Sequence, residues 1–282
     1  MEKVGLLIDS TTLTRPEIAQ YEFVKSVPLI VTIDGAQYME SELTTETMYH
    51  HLHHARKMTT SQPSPGAFLE MYETFHKEAY THVLVVTLSE KISGTYQSAL
   101  IAKSMFEGAM EISVHAPEVA SFGVANGIVP LIEMIQSKAQ FSKIVDRYYR
   151  LFEDAKVMFT LANLMHLFRG GRLSRIQALL GTVLRIKPII EMIEGKLQLT
   201  KKERTNIACF DYFLSVIDAY QEKYETVYLD IIQLQRVEWA EKIKNVVSEH
   251  YPKIHIHMTD YVSPVFFVHL GDQGFGIALA GE

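Results

Sequence analysis

The sequence predicts an α/β protein with two domains, and three observations carry that reading. The runs VGLLIDS (4–10) and VLVVTLS (83–89) are continuously apolar and stop at hydroxyls, as buried parallel strands do when polar groups sit at their carboxyl ends. Helical patterns alternate with these strands up to about residue 157, which argues a parallel sheet covered by helices. Beyond that point the texture changes to hairpin and mixed-strand patterns. The expected architecture is an N-terminal Rossmann-like domain over residues 1–157 and a C-terminal mixed-sheet α/β domain over 158–282. No repeat or low-complexity linker marks the junction, so segments can cross over it.

Taken in order, VGLLIDS opens the parallel sheet, and VPLIVTIDG (27–35), VLVVTLS and MEISVHA (110–116) supply further strands. Helices are predicted at about 15–24, 44–57, 65–79, 94–107, 122–137 and 141–154. The one over 65–79 has the clearest start, because Ser64 is a good N-cap and Pro65 suits the first helical position. In the second half, IKPIIEMIEGKLQLT (186–200) reads as a hairpin turning at Glu194-Gly195. VYLDIIQL, IHIHMTDY, PVFFVHLG and GIALAG read as strands, with helices at about 206–223 and 236–250.

Composition narrows the function. The 282 residues are 48% hydrophobic, enough for a large core, and the formal net charge of -6 argues against a nucleic-acid footprint. No run of about 18 apolar residues predicts stable membrane insertion, and MEKVGLLIDS reads as a first strand rather than a signal peptide. One cysteine, Cys209, rules out an internal disulfide and fits a reducing cytoplasm. Twelve methionines and fourteen phenylalanines suit an adaptable apolar cavity, though they also fill ordinary cores.

Several short stretches carry polar chemistry. KMTTSQPSPGAF (57–68) holds hydroxyls on a proline-stiffened path, and the helix cap explains Ser64 but not Thr60 or Ser61. In SEKISGTYQSAL (89–100), Ser93-Gly94-Thr95 opens a helix at a strand end, where free N–H groups favour an anion and glycine permits close approach. No GxGxxG or Walker lysine accompanies it, so a dinucleotide or nucleotide loop is not indicated. FRGGRLSR (168–175) and KKERTN (201–206) present Arg172 and Arg204 in basic settings suited to a phosphate or an acidic partner, or simply to helix ends. His269, in VHLGDQGFG, lies beside a glycine-rich turn. His50 and His54 have metal-compatible spacing, but nothing completes a ligand set; neither a metal nor a cofactor is expected.

DST (9–11), VPL (27–29), TSQPSPG (60–66), SGTYQSA (93–99), GGRLS (170–174), IKPII (186–190), ERT (203–205) and HLG (269–271) occur in this order across nearly the whole chain. Together they resemble the DegV family, which includes the fatty-acid-binding FakB proteins of bacterial fatty acid kinase. The resemblance implies one long-chain fatty acid in a tunnel between the two domains. It implies that the carboxylate is presented to the kinase subunit FakA, with the acyl phosphate passing to an acyltransferase in phospholipid synthesis. The carrier itself is implied to be non-catalytic and cytoplasmic. By the same resemblance Thr60, Ser93 and His269, with Gly94, hold the carboxylate, and Arg172 and Arg204 serve kinase engagement or phosphorylation. Ile92, Leu164, Phe168, Ile176, Leu180, Leu184 and Phe266 are the expected lining. Two stretches differ from the family pattern. His115-Ala116-Pro117 stands where Asp-Ser is common, and Gly271-Asp272-Gln273 where Gly-Pro-Gly is.

A buried carboxylate needs donors, and hydroxyls with a helix start supply them. A tail of about 15 methylenes at ~0.8 kcal/mol each gives ~12 kcal/mol of transfer free energy before ordering costs, so the tail dominates affinity and the polar end fixes orientation. Two other readings stand beside this one. One is a small-molecule phosphotransferase using Asp9, Ser10 and His269; the other is a fatty-acid-sensing regulator with no kinase partner.

Overall fold

The computed structural model describes residues 2–173, 186–259 and 261–282. β1 (Val4–Asp9) is buried along its whole length. After two 3-10 turns at Ser10–Thr12 and Pro16–Gln20, β2 (Val24–Val27) returns beside it in parallel. The helix expected over 15–24 is therefore absent: only one 3-10 turn forms, and the end of the segment is recruited as a strand. Pro28 then interrupts the VPLIVTIDG run. Val27 closes β2, whereas Ile30 opens β3 (Ile30–Ile33) in a different sheet, because Pro28 has no N–H to continue the ladder. β4 (Ala36–Met39) follows after a tight turn at Asp34-Gly35, both with positive φ.

α1 (Thr45–His54) starts at a Thr44/Thr47 capping box. β5 (Met58–Ser61) leads into α2 (Pro65–Lys77), where Ser64 Oγ accepts the Ala67 N–H at 3.2 Å and Pro65 takes the first position, as the sequence indicates. β6 (His82–Val86), α3 (Thr95–Met105) and β7 (Glu111–His115) complete the first half of the chain's parallel sheet and its cover. The long, almost fully buried α4 (Phe122–Gln136) and the amphipathic α5 (Phe141–Glu153) come next.

β8 (Lys156–Leu161), α6 (Met165–Arg169), β9 (Lys187–Ile193) and β10 (Lys196–Glu203) follow, with the hairpin turning at Glu194-Gly195 as predicted. α7 (Asn206–Lys223), β11 (Val227–Leu234), α8 (Val237–His250) and β12 (Ile254–Thr259) match their expected types. PVFFVHLG does not: it is α9 (Pro264–Leu270), a helix that precedes β13 (Gly274–Gly281). Its β-rich composition is overridden by end signals. Ser263 caps the start, Pro264 occupies the first turn, and Gly271 follows the last residue at φ +80.

Among the described residues there are three sheets. β2-β1-β6-β7 is wholly parallel; β10-β9-β8-β13-β11-β12 is mixed, with only β11 and β12 parallel; β4-β3-β5 is a small antiparallel sheet. α4 is apolar on nearly every face because it is covered on both sides. It packs on β8, β11 and β13 of the mixed sheet and also on the Ser10–Thr12 turn. α9 runs the other way: although it follows the mixed sheet in sequence, it packs on β3, β5, α1 and α6. The two halves are thus laced together. A buried polar cluster ties the same seam, where one Arg15 amino group meets Asp230 Oδ1 at 2.9 Å and Asn126 Oδ1 at 2.6 Å. Asn126 also donates to the Ala278 carbonyl.

Candidate functional site

Thr60 is held in place by the strand pairing of β5. It lies opposite Val31 of β3 in the antiparallel register, so its side chain is aimed by a sheet and not only by the prolines that follow. Across from it stands His269 in the last turn of α9, and its Nε2 lies 2.9 Å from Thr60 Oγ1. These two residues are 209 positions apart in sequence. Ser93 immediately precedes Gly94, the residue that caps α3, and its hydroxyl contacts Thr95 Oγ1 at 2.8 Å.

Thr60, Ser93 and His269, with Ser61, Gln62 and Arg172, form the polar part of one cavity of about 50 Å³. Its remaining walls are Leu29, Leu88, Ile92, Leu167, Leu197, Val265, Phe266 and Leu270. A second cavity of about 40 Å³ shares Leu197, Phe266 and Leu270 with the first and is almost wholly apolar. It runs between Phe122, Val157, Phe159, Met192, Ile232 and Phe275. On the other side of Thr60, His269 and Arg172 lies an open basin edged by Arg56, Lys57, His166 and Arg169. The Thr60–His269 pair is thus a polar partition, with aliphatic space behind it and a cationic opening in front.

Burial pushes the His269 imidazole down to about 4, helped by the charge of Arg172, so it is neutral at physiological pH. Its Nδ1 is buried without a hydrogen-bond partner among the described residues. A bare lone pair is tolerated in that setting better than an unpaired N–H. The proton therefore sits on Nε2, which donates to Thr60 Oγ1 and leaves the threonine O–H free to donate into the cavity. Gly170 explains the close packing behind the ring: a Cβ there would lie 2.3 Å from His269 Nδ1.

The structure brings Thr60, Ser93, His269, Ile92 and Phe266 to this cavity, together with Arg172 at its rim. Arg172 donates to the Gly170 carbonyl at 2.6 Å and the Ile92 carbonyl at 3.3 Å, so its guanidinium is held by backbone. Gly94 does not line the cavity. The space above it is taken by Gln62, whose amide nitrogen lies 2.4 Å from where a Cβ would be. Leu164 and Phe168 are not among its walls, and Leu167 of the same short α6 segment is the residue that reaches the cavity. Ile176, Leu180 and Leu184 lie outside the described residues. Arg204 follows the far end of β10 from Leu197, seven residues away, or roughly 20 Å of strand. It does not converge with Arg172.

Ser61, which the helix cap leaves unexplained, is at the cavity, whereas Gln62 and Leu197 are not singled out by the sequence. Gln62 lies within the TSQPSPG motif, so a signal was present; Leu197 gave none, being one leucine in a hairpin. Asp9 and Ser10 are committed elsewhere. Asp9 accepts from the Leu88 N–H at 2.6 Å and from Thr11, tying the ends of β1 and β6 together, and burial raises it to about 6. No group of His, Cys, Asp and Glu fit to hold a metal ion occurs among the described residues, and no described helix is long and apolar enough to cross a membrane.

A sequence profile described as "Uncharacterised protein, DegV family" matches residues 3–282. A DegV domain-containing protein of Halalkalibacterium halodurans is 31% identical over 280 residues, covering 99% of this chain and 98% of the relative. Two solved structures share the fold along its length. DegV of Bacillus subtilis, a fatty acid binding protein, has a TM-score of 0.89 at 27% identity, with 100% of each chain covered. A DegV family protein from Thermus thermophilus, whose fatty acid binding is described, has a TM-score of 0.88 at 27% identity, covering 99% of this chain and 100% of the other. The chain belongs to the DegV family.

Proposed function

We propose that this protein binds one long-chain fatty acid and presents its carboxylate to a partner kinase, which phosphorylates it with ATP to an acyl phosphate for phospholipid synthesis. The observation that carries the reading is the Thr60–His269 partition at the end of an aliphatic space. The Thr60 and Ser93 hydroxyls offer neutral donors to a carboxylate, and the two cavities that share Leu197, Phe266 and Leu270 suit its tail. Fatty acid binding by the B. subtilis and T. thermophilus relatives supports the same ligand class. The protein would be a carrier without catalysis of its own. In support, Asp9 and Ser10, which a phosphotransferase would need near His269, do not line the cavity.

The test is to purify the protein from bacteria and identify its cargo by mass spectrometry. About one fatty acid per chain is expected. An empty protein that hydrolyses ATP would favour the phosphotransferase instead, and bound lipid without any phosphorylation by a fatty acid kinase would favour a lipid-sensing regulator.

Arg172 and Arg204 are assigned to kinase engagement or to the phosphoryl group, not to the lipid. Both are exposed, and Arg172 borders the cationic basin in front of the partition. A guanidinium keeps its charge and offers two parallel donors, which lysine does not. Arg172→Ala and Arg204→Ala should keep bound lipid and melting temperature near the parent. Kinase-dependent acyl phosphate formation should fall at least tenfold, with partial recovery in the lysine variants. Full phosphorylation in both alanine variants would return the two arginines to a structural role.

A further inference from the structure

Glu40 is an acidic side chain almost wholly withdrawn from water, only 2% exposed, and it does not line the cavity. It begins the short 3-10 turn after β4. One carboxyl oxygen, Oε1, accepts from Ser263 Oγ and from the Val265 N–H at 3.2 Å, so it receives the first turn of α9. The other, Oε2, accepts from Ser10 Oγ, and Ser10 Oγ in turn accepts the Leu29 N–H at 2.9 Å. Leu29 and Val265 are both walls of the head-group cavity. One carboxyl group therefore joins the end of β1, the start of β3 and the start of α9 directly behind that cavity.

The cost of burying such a group is large unless its acceptors are used. Burial pushes Glu40 up to about 7, and the nearby charge of Asp9 adds to the shift. Tyr261 also faces it, and its phenol is raised in turn, mainly by burial. An apolar residue of similar size would pack there without this penalty, but it could not accept from the Ser263 hydroxyl and the Val265 N–H. The lever from that end of α9 to the site is short. Val265 and His269 are four residues apart, about 6 Å along a helix, and Phe266 and Leu270 lie on the same segment.

We propose that Glu40 is a positioning residue for the head-group site: by accepting the first-turn donors of α9 it sets that helix against β5 and so places His269 on Thr60. The proposal rests on the fatty acid reading above for its ligand but on contacts within the free protein for its geometry. Glutamine at this position keeps an oxygen for Ser263 and Val265, whereas alanine removes it.

The experiment compares the parent with Glu40→Gln, Glu40→Ala and Ser263→Ala. It records 15N histidine spectra of lipid-free protein and affinity for [1-13C]palmitate. Parent and Glu40→Gln should both show His269 with its proton on a hydrogen-bonded Nε2. Glu40→Ala should lose that signature and bind palmitate at least about tenfold more weakly, the equivalent of one hydrogen bond to a charged group. Ser263→Ala should move the same signal in the same direction, and it decides the matter if Glu40→Ala does not fold. A parent-like His269 signal and parent-like affinity in Glu40→Ala, whatever its melting temperature, would overturn the proposal. So would a Glu40→Gln variant as impaired as the alanine variant. If the parent itself binds no palmitate, the ligand reading fails, while the His269 signal still decides the role of Glu40.

Discussion

Leu197→Asp should empty the cavity of lipid. Leu197 is 4% exposed and is a wall of both the head-group cavity and the apolar one beyond it. It lies on β10, opposite Met192 of β9, which is also a wall of the second cavity. A carboxylate there is either desolvated or draws water into the aliphatic space. Either outcome removes much of the ~12 kcal/mol available from burying a chain of about 15 methylenes. Bound fatty acid, measured by extraction and mass spectrometry, should fall below about a tenth of the parent. Leu197→Met, which nearly conserves volume, should retain it. Since an acid in a core strand also destabilises, Phe266→Asp is the second test: Phe266 faces both cavities from a helix and is only partly buried. Full lipid occupancy in both aspartate variants would remove these walls from the binding site.

Arg15→Ala should destabilise the fold by about 3–5 kcal/mol. Arg15 and Asp230 form an ion pair whose side chains are 9% and 0% exposed. Asp230 Oδ2 and Arg15 Nε are buried without a partner among the described residues, so the pair is already short of hydrogen bonds. Removing the cation leaves Asp230 with His257 Nδ1, 2.5 Å from Oδ1, as its remaining side-chain partner among the described residues. The loss should appear as a lower midpoint in urea at unchanged slope. An Arg15→Met/Asp230→Leu double variant should be more stable than either single one, because an apolar pair carries no uncompensated charge. If Arg15→Ala stayed within 1 kcal/mol of the parent, the pair would have little part in joining the two halves of the chain.

Much of this architecture is readable locally. The apolar runs of β1 and β6, the Ser64-Pro65 start of α2 and the Glu194-Gly195 turn each announce themselves within a few residues. The misreadings have physical causes. PVFFVHLG has strand-forming residues, but Ser263, Pro264 and Gly271 punctuate it as a helix, and the ends win over composition. Val24 reads as the end of a helix and Val27 as the start of a separate strand until β1 offers Val24 to Val27 a parallel partner, a fact located some twenty residues away. At the site, motif resemblance located Thr60, Ser93 and His269, since short hydroxyl and glycine patterns are visible in sequence. The choice of Leu167 over Leu164 and Phe168 was not visible, because α6 has only five residues and its phase is set by what it packs on. Glu40 and Arg15 gave no local sign at all. Their meaning lies in Ser263 and Asp230, more than two hundred residues further on.

That distance also bears on how the protein is made. Thr60 and His269 meet only when a loop of 209 residues is closed, a long-range contact that carries a closure entropy local contacts do not. A nascent or partly folded chain can complete the β2-β1-β6-β7 sheet early, yet it has no closed chamber and no partition to orient a carboxylate. On the fatty acid reading proposed above, cargo is captured in the correct direction only by a molecule that has finished folding. Lipid occupancy is then a readout of folding quality as well as of affinity, and a freshly synthesised pool should load with the kinetics of its slowest folding phase.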